Sequence, residues 1–321
     1  MLAGMRYIDV FNGDADGICA LHQLRLAEPL DAELVTGVKR DIELLRRVRA
    51  GAGDRVTVLD VSLGRNRSAL MALLERGARV RYFDHHAGGK VPSHPGFEPY
   101  IDESADVCTS ILVDRYLQGR FRVWAVVAAF GDGMPEAAQG LASDLNLQAE
   151  PLAALRALGE NLNYNAYGDD ETDLLVPPAR LYRSVSRFSD PFRLLDEEPL
   201  LKRLDEERRV DLVRAVALAP YRDSGRADAY VLPNAPWARR VIGSFANQLA
   251  AAAPARAHAV AAPNTRGGYT VSVRAPSGDE FSVAGFCRAF GGGGRRSAGG
   301  IDHLAPARLD ALLDALEHGL E

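Results

Sequence analysis

Cysteine is scarce in this chain: three residues in 321, Cys19, Cys108 and Cys287, widely spaced and without a CxxC pair. That argues against a disulfide framework and a thiolate zinc site; the three read as small buried hydrophobes in a reducing compartment. Long apolar runs are missing too, since none reaches the roughly 18 residues needed to span a bilayer. The opening MLAGMRYIDVFNG lacks the apolar core and small-residue cleavage site of a secretory leader. A cytoplasmic protein with no membrane partner is expected. Nor is there an excess of positive charge. The 38 Lys and Arg against 43 Asp and Glu leave a formal charge of −5, which disfavours a protein that coats long nucleic acid by neutralising many phosphates. No fixed-period repeat runs along the chain, and no GxGxxG follows the first apolar run, so the pyrophosphate cradle of a dinucleotide-binding domain is missing.

What is present is ordinary core material, 47% hydrophobic and 25% charged, in a chain long enough for two packed units. The expected fold class is α/β: an N-terminal parallel-sheet domain (residues 1–165), a helical connector (166–225) and a smaller C-terminal mixed α/β domain (226–321). In the first part β-branched runs alternate with amphipathic stretches, the pattern of a parallel sheet covered by helices. RYIDVF, AELVTG, RVTVLDV and RVRYFD read as strands; GICALHQLRLAE, DIELLRRVRA and NRSALMALLERG have helical spacing. Strand signals return after Asp228 in AYVLP, AHAVAAP and YTVSVRAP, around the turn-forming NTRGG.

Polar residues sit where apolar runs end: NGDADG with Asn12, Asp14 and Asp16; VLDVS with Asp60; FDHH with Asp84, His85 and His86; and AAFGDGM with Asp132. Each alone is compatible with a polar turn or a helix cap. Together they are not, because a parallel sheet brings the ends of its strands to one edge, where ligands bind. Four carboxylates gathered there repel and raise one another's pKa values. Divalent cations remove that penalty, and oxygen-rich ligation with one imidazole suits Mn²⁺ or Mg²⁺ better than a structural zinc.

DADG, the strand-end Asp60, DHH and the later Asp132, in this order, resemble the four motifs of the DHH phosphoesterase superfamily. FGGGGRRSAGG is similar to the glycine-rich signature of the DHH-associated C-terminal domain. The resemblance covers nearly the whole chain and is weakest in the connector. The superfamily includes RecJ-type exonucleases, nanoRNases, cyclic-dinucleotide phosphodiesterases and family II pyrophosphatases. The resemblance implies that Asp16, Asp60, His85 and Asp132 bind one Mn²⁺ and that Asp14 and Asp60 help bind a second. It also implies that His86 faces the substrate phosphate or leaving group and that Asp84 orients an imidazole. Gly292, Gly293, Gly294, Arg295 and Arg296 become the expected phosphate-binding loop, its N–H groups and guanidinium groups gripping an anion.

Two positions depart from that pattern. The family places a histidine or aspartate just before the DxD pair, where this chain has Val10 and Asn12. An asparagine offers a carbonyl oxygen but no charge, so the N-side metal should need more Mn²⁺ to fill. Asn12→Asp should tighten it, and two equally tight sites by calorimetry would refute this. The family's glycine-rich signature also carries a histidine where this chain has Arg295, an always-charged residue that cannot exchange protons with a leaving group. The function these residues imply is hydrolysis of short single-stranded oligonucleotides or small nucleotides, such as a linear dinucleotide or a 3′,5′-bisphosphate, by a water activated between two metals. The alternatives are an inorganic pyrophosphatase and a catalytically weak nucleotide-binding sensor. The sequence leaves the oligomeric state open, a homodimer included.

Overall fold

The computed structural model describes residues 5–276 and 281–319. Two compact units result: residues 1–166 with 175–205, and 167–174 with 206–321. Residues grouped by sequence as a connector thus divide between the units. The stretch 175–205 packs with the first, while 167–174 and 206–225 pack with the second.

In the first unit β1 (Tyr7–Asn12), β2 (Glu33–Gly37), β3 (Arg55–Leu59), β4 (Arg79–Asp84) and β5 (Phe97–Ile101) form a sheet in the order β2-β1-β3-β4-β5. Every neighbouring pair in it is parallel. The inner strands β1, β3 and β4 are largely buried on both faces, which is why they read as apolar runs. Ile8, Val10, Val56, Val58, Val80 and Tyr82 join one core cluster. The intervening Phe11, Leu59 and Phe83 join the other, the period of two that a pleated strand imposes. The first cluster includes residues of α2 (Leu63–Glu75). The second collects α1 (Ala15–Ala27), α3 (Thr109–Tyr116), α4 (Arg122–Gly131), α5 (Pro135–Ser143) and α6 (Ala149–Tyr164). Residues of α7 (Pro178–Val185), α8 (Pro191–Glu197) and the start of α9 (Pro199–Val216) join it too.

One local expectation fails for an identifiable reason, and one strand carries no sequence signal. Residues 41–50 form only a short 3₁₀ turn, Leu44–Arg47. Buried Asn66 intercepts the backbone there, accepting from the Leu45 N–H at 3.2 Å and donating to the Ile42 carbonyl at 2.6 Å, and Asp41 pairs with Arg47 instead of capping a helix. The strand β5 has no alternating signal and contains Pro99, which an edge strand tolerates because its outer N–H side pairs with nothing in the sheet.

The second unit has a six-stranded mixed sheet among the described residues, ordered β10-β11-β9-β8-β7-β6. Its strands are β6 (Arg222–Asp223), β7 (Ala227–Val231), β8 (Ala257–Pro263), β9 (Tyr269–Arg274), β10 (Gly293–Gly294) and β11 (Ala298–Leu304). Residues of α10 (Pro236–Ala252) pack with one face of β8, and those of α11 (Val283–Ala289) and α12 (Leu309–His318) with the other. Segment 167–174 is held in this unit by Asp173, whose two oxygens accept from Arg239 at 2.7 and 2.8 Å while its carbonyl accepts from Arg240 at 2.7 Å. No helix among the described residues is long and apolar enough to cross a membrane.

His22 on α1 is buried against Trp124, ring centroids 4.5 Å apart, with Nε2 2.7 Å from the Phe188 carbonyl. Burial pushes its pKa down to about 4, the hydrogen bond opposing only in part. Because the folded value lies below the ordinary 6.5, the unfolded chain takes up the proton first. Stability is therefore lost as pH falls from about 6.5 towards 4, by up to roughly 3 kcal/mol. His22→Gln keeps a donor for Phe188 and removes the titration. Urea unfolding from pH 7 to 4 should show a shallower decline in the variant; equal slopes would remove His22 from the account.

Candidate metal centre

The DADG turn is built by its own residues. Asp14 caps α1, its Oδ1 accepting from the N–H groups of Asp16 at 3.0 Å and Gly17 at 3.1 Å, the usual way a helix start satisfies its orphan donors. Gly17 must be glycine, since a Cβ there would lie 2.1 Å from the Asn12 carbonyl oxygen. Asp16, in the first turn, faces the start of α3. Its Oδ2 accepts from Thr109 N–H and its Oδ1 from Ser110 N–H, both at 2.7 Å.

Asp60 follows β3 with φ of +57°, a left-handed conformation that costs most residues 1–2 kcal/mol but that short polar side chains adopt more readily. Such strain commonly marks a functional site. Its Oδ1 accepts from the Thr109 hydroxyl at 3.3 Å and lies 3.4 Å from His85 Nε2. The same Nε2 is 3.9 Å from Asp16 Oδ2. Asp84, wholly buried at the end of β4, accepts from the Leu63 N–H at 2.8 Å and sits 2.7 Å from His86 Nδ1. Asp60, His85 and His86 can each offer a ligand atom within 4.8 Å of the others.

The electrostatics follow from this crowding. Burial raises the pKa of Asp60 well above the ordinary carboxylate range, and Asp14 and Asp16 add to the shift. Asp16 is raised mainly by burial, against the pull of His85. His85 is pushed up to about 10: burial opposes its charge, but the hydrogen bond to Asp60 and the fields of Asp132, Asp60 and Asp16 outweigh it. Two buried carboxylates held against their ordinary ionisation, with an imidazole nitrogen between them, fit a divalent cation, which would neutralise both. Thiol chemistry finds no support, because burial and the neighbouring acids raise Cys19 and Cys108 far above their usual values.

Asp132 reaches the cluster differently from the strand-end pattern: it ends a helix, α4, rather than a strand. Asn12 and Asp14 meet a residue that sequence reasoning passed over. Lys39, two residues beyond β2, contacts Asp14 Oδ2, with its Nζ 3.4 Å from Asp132 Oδ1 and 3.3 Å from Asn163 Oδ1. Its only sequence signal is that the chain leaves β2 at the same sheet edge as the acids. Thr109 and Ser110 were missed too, hidden in a helix start with no motif.

In the second unit, residues 293–300 form a hairpin. Gly293 and Gly294 of β10 pair with Gly300 and Gly299 of β11, and the Arg295 N–H donates to the Ala298 carbonyl at 2.7 Å. The glycines have a packing reason: a Cβ on Gly292 would lie 2.2 Å from the Gly300 carbonyl oxygen, and one on Gly299 would lie 2.8 Å from Cys287 Sγ. Arg295 and Arg296 occupy the turn between the two strands. On the adjoining strand Arg274 donates to the neutral oxygens of Asn247, Ser272 and Val273 at 2.8–3.1 Å. Burial, with the Arg295 charge adding, lowers its pKa; sequence reasoning did not single it out.

No family model and no curated protein matches this chain. Solved structures do. An exonuclease RecJ bound to manganese aligns over 99% of this chain and 90% of its own, at 18% identity and TM-score 0.63. RecJ with Mn²⁺ from Thermus thermophilus aligns at 19% identity and TM-score 0.59 over 99% of this chain but 52% of its own, so this chain spans about half of that protein. A pGpG-specific phosphodiesterase, PggH from Vibrio cholerae, matches over 98% of this chain and 99% of its own, at 14% identity and TM-score 0.53. With DADG, Asp60 and DHH on one edge of its parallel sheet, the chain has the fold of the RecJ exonucleases and of the PggH phosphodiesterase.

Proposed function

We propose that the protein is a divalent-metal-dependent phosphodiesterase acting on short single-stranded oligonucleotides or small nucleotides. The observation that carries this reading is the convergence of Asp16, Asp60 and His85 from three separate segments, with His85 Nε2 within 3.4–3.9 Å of both carboxylates. Asp16, Asp60, His85 and Asp132 would hold the ion, Mn²⁺ before Mg²⁺ because the His85 imidazole nitrogen is a softer donor than the carboxylates. When bound, such an ion lowers the pKa of a coordinated water and neutralises phosphate oxygens. The second ion expected from the family resemblance would need Asp14, whose Oδ2 meets Lys39.

The chain's own residues supply the rest. Asp84 fixes the ring of His86 through Nδ1, which leaves Nε2 for a substrate phosphate or leaving group. His86 is the more exposed of the two histidines, at 43% against 12% for His85, as a substrate-facing group should be. In the second unit, Gly292, Gly293, Gly294, Arg295 and Arg296 are the proposed phosphate-binding group, and Arg274 adds a cation to it. The net charge of −5 supports a short substrate over a long polymer.

Incubation with labelled RNA and DNA oligonucleotides of two to twenty nucleotides, pGpG, a 3′,5′-bisphosphate and pyrophosphate, each with Mn²⁺ and with chelator, tests this. Metal-dependent release of mononucleotides from the shortest strands or from the small nucleotides is the expected result. Turnover of pyrophosphate alone would replace the reading with the pyrophosphatase alternative. Binding without turnover of anything would favour the sensor.

A further inference from the structure

We propose that Lys39 stands in for a second metal ion, so that the centre works with one divalent cation and one fixed ammonium. This rests on the metal-dependent phosphodiesterase reading and concerns the composition of that same site.

Every group on the N-side of the centre is already engaged. Asp14 Oδ1 caps α1 through two N–H groups at 3.0 and 3.1 Å, and its Oδ2 contacts the Lys39 ammonium. Asn12, the other expected ligand there, accepts from the Asp14 N–H at 3.3 Å and donates its amide to the Lys39 carbonyl at 3.2 Å. Lys39 is held by its backbone as well, its N–H donating to the Ala166 carbonyl at 2.9 Å. The ammonium, with the side chain three-quarters covered, lies 3.4 Å from Asp132 Oδ1 and 3.3 Å from Asn163 Oδ1. Oxygens from three segments thus converge on the ammonium, as many as a lysine has N–H donors.

Residue choice agrees. Lysine occurs at only three positions, 39, 90 and 202, among 38 basic residues. Arginine, used almost everywhere else, is a planar fork; lysine is a compact point charge that three converging oxygens can surround as they would a small cation. A metal bound to Asp14 Oδ2 would sit about 2 Å from that oxygen, in space the ammonium occupies. The ammonium keeps a positive charge beside the acids where a departing or attacking oxygen would otherwise need a second ion.

Isothermal titration with MnCl₂ and electron paramagnetic resonance, on wild type, Lys39→Met and Lys39→Arg, test the inference without reference to turnover. Wild type should bind one Mn²⁺ per chain with the spectrum of an isolated ion. Lys39→Met should rise to two, with the signature of exchange-coupled neighbours, while Lys39→Arg stays at one. Two coupled ions in wild type would overturn the proposal even if neither variant folds, and so would a folded Lys39→Met that still binds one. Wild type that binds no Mn²⁺ would instead bring down the metal-dependent reading itself.

Discussion

Asp60→Asn should lower metal-dependent turnover by at least about a thousandfold, roughly 4 kcal/mol of transition-state stabilisation, while leaving the metal-free protein as stable as wild type or more so. The first half follows from position: Asp60 is the carboxylate nearest His85 Nε2, at 3.4 Å, and feels both Asp14 and Asp16. A neutral amide there cannot balance a divalent charge. The second half follows from the sign of its pKa shift. A buried carboxyl whose pKa is raised opposes folding when ionised, so removing the charge relieves the metal-free state. Asparagine is the informative substitution because it tolerates the left-handed backbone, φ +57°, in which Asp60 is held. Alanine would add backbone strain and confuse lost chemistry with lost stability. Turnover, Mn²⁺ titration and melting of the metal-free protein decide it together. Activity within tenfold of wild type would remove Asp60 from the reaction.

Asp211→Ala should destabilise the second unit by roughly 3–5 kcal/mol, the usual cost of breaking a buried ion pair from one side. Asp211 on α9 is fully buried; its Oδ2 accepts from Arg240 at 2.9 Å and its Oδ1 from Arg214 at 3.1 Å. Arg240 is also buried, and through the Asp173 carbonyl it fastens the 167–174 segment to this unit. Taking away the carboxylate leaves a guanidinium in a low-dielectric surround without its principal counter-charge. The double variant Asp211→Leu with Arg240→Met should recover much of the loss, because two apolar groups of similar size carry no such charge. Denaturant unfolding of wild type, Asp211→Ala, Asp211→Leu, Arg240→Met and the double variant measures both the loss and the coupling. A single-variant loss below about 1 kcal/mol would mean that the pair is not what holds this segment.

The two variants probe different kinds of legibility. Asp60 was visible in the sequence as a polar residue closing an apolar run, and so were Asp14, Asp16, Asp84, His85 and His86. Strand periodicity and strand-end chemistry are local properties, and a parallel sheet converts local ends into a shared edge without further information. The helix expected over 41–50 was not decided locally: its spacing is helical, but Asn66, about twenty residues away, takes the backbone groups the helix would need. Asp132, singled out in the sequence with the strand-end acids, stands at a helix end, not a strand end.

Composition, periodicity and the order of the acidic motifs by themselves determined that a parallel α/β domain gathers carboxylates and imidazoles at one edge, and that cations should gather with them. Only tertiary structure placed the Lys39 ammonium beside Asp14 and Asp132. Lys39 follows β2, Asn163 lies in the last turn of α6, and Thr109 and Ser110 begin α3, so they reach the cluster because three elements start or stop there. An ammonium and a metal ion answer the same charge requirement, so a list of acids cannot distinguish them; the distances around Asp14 can.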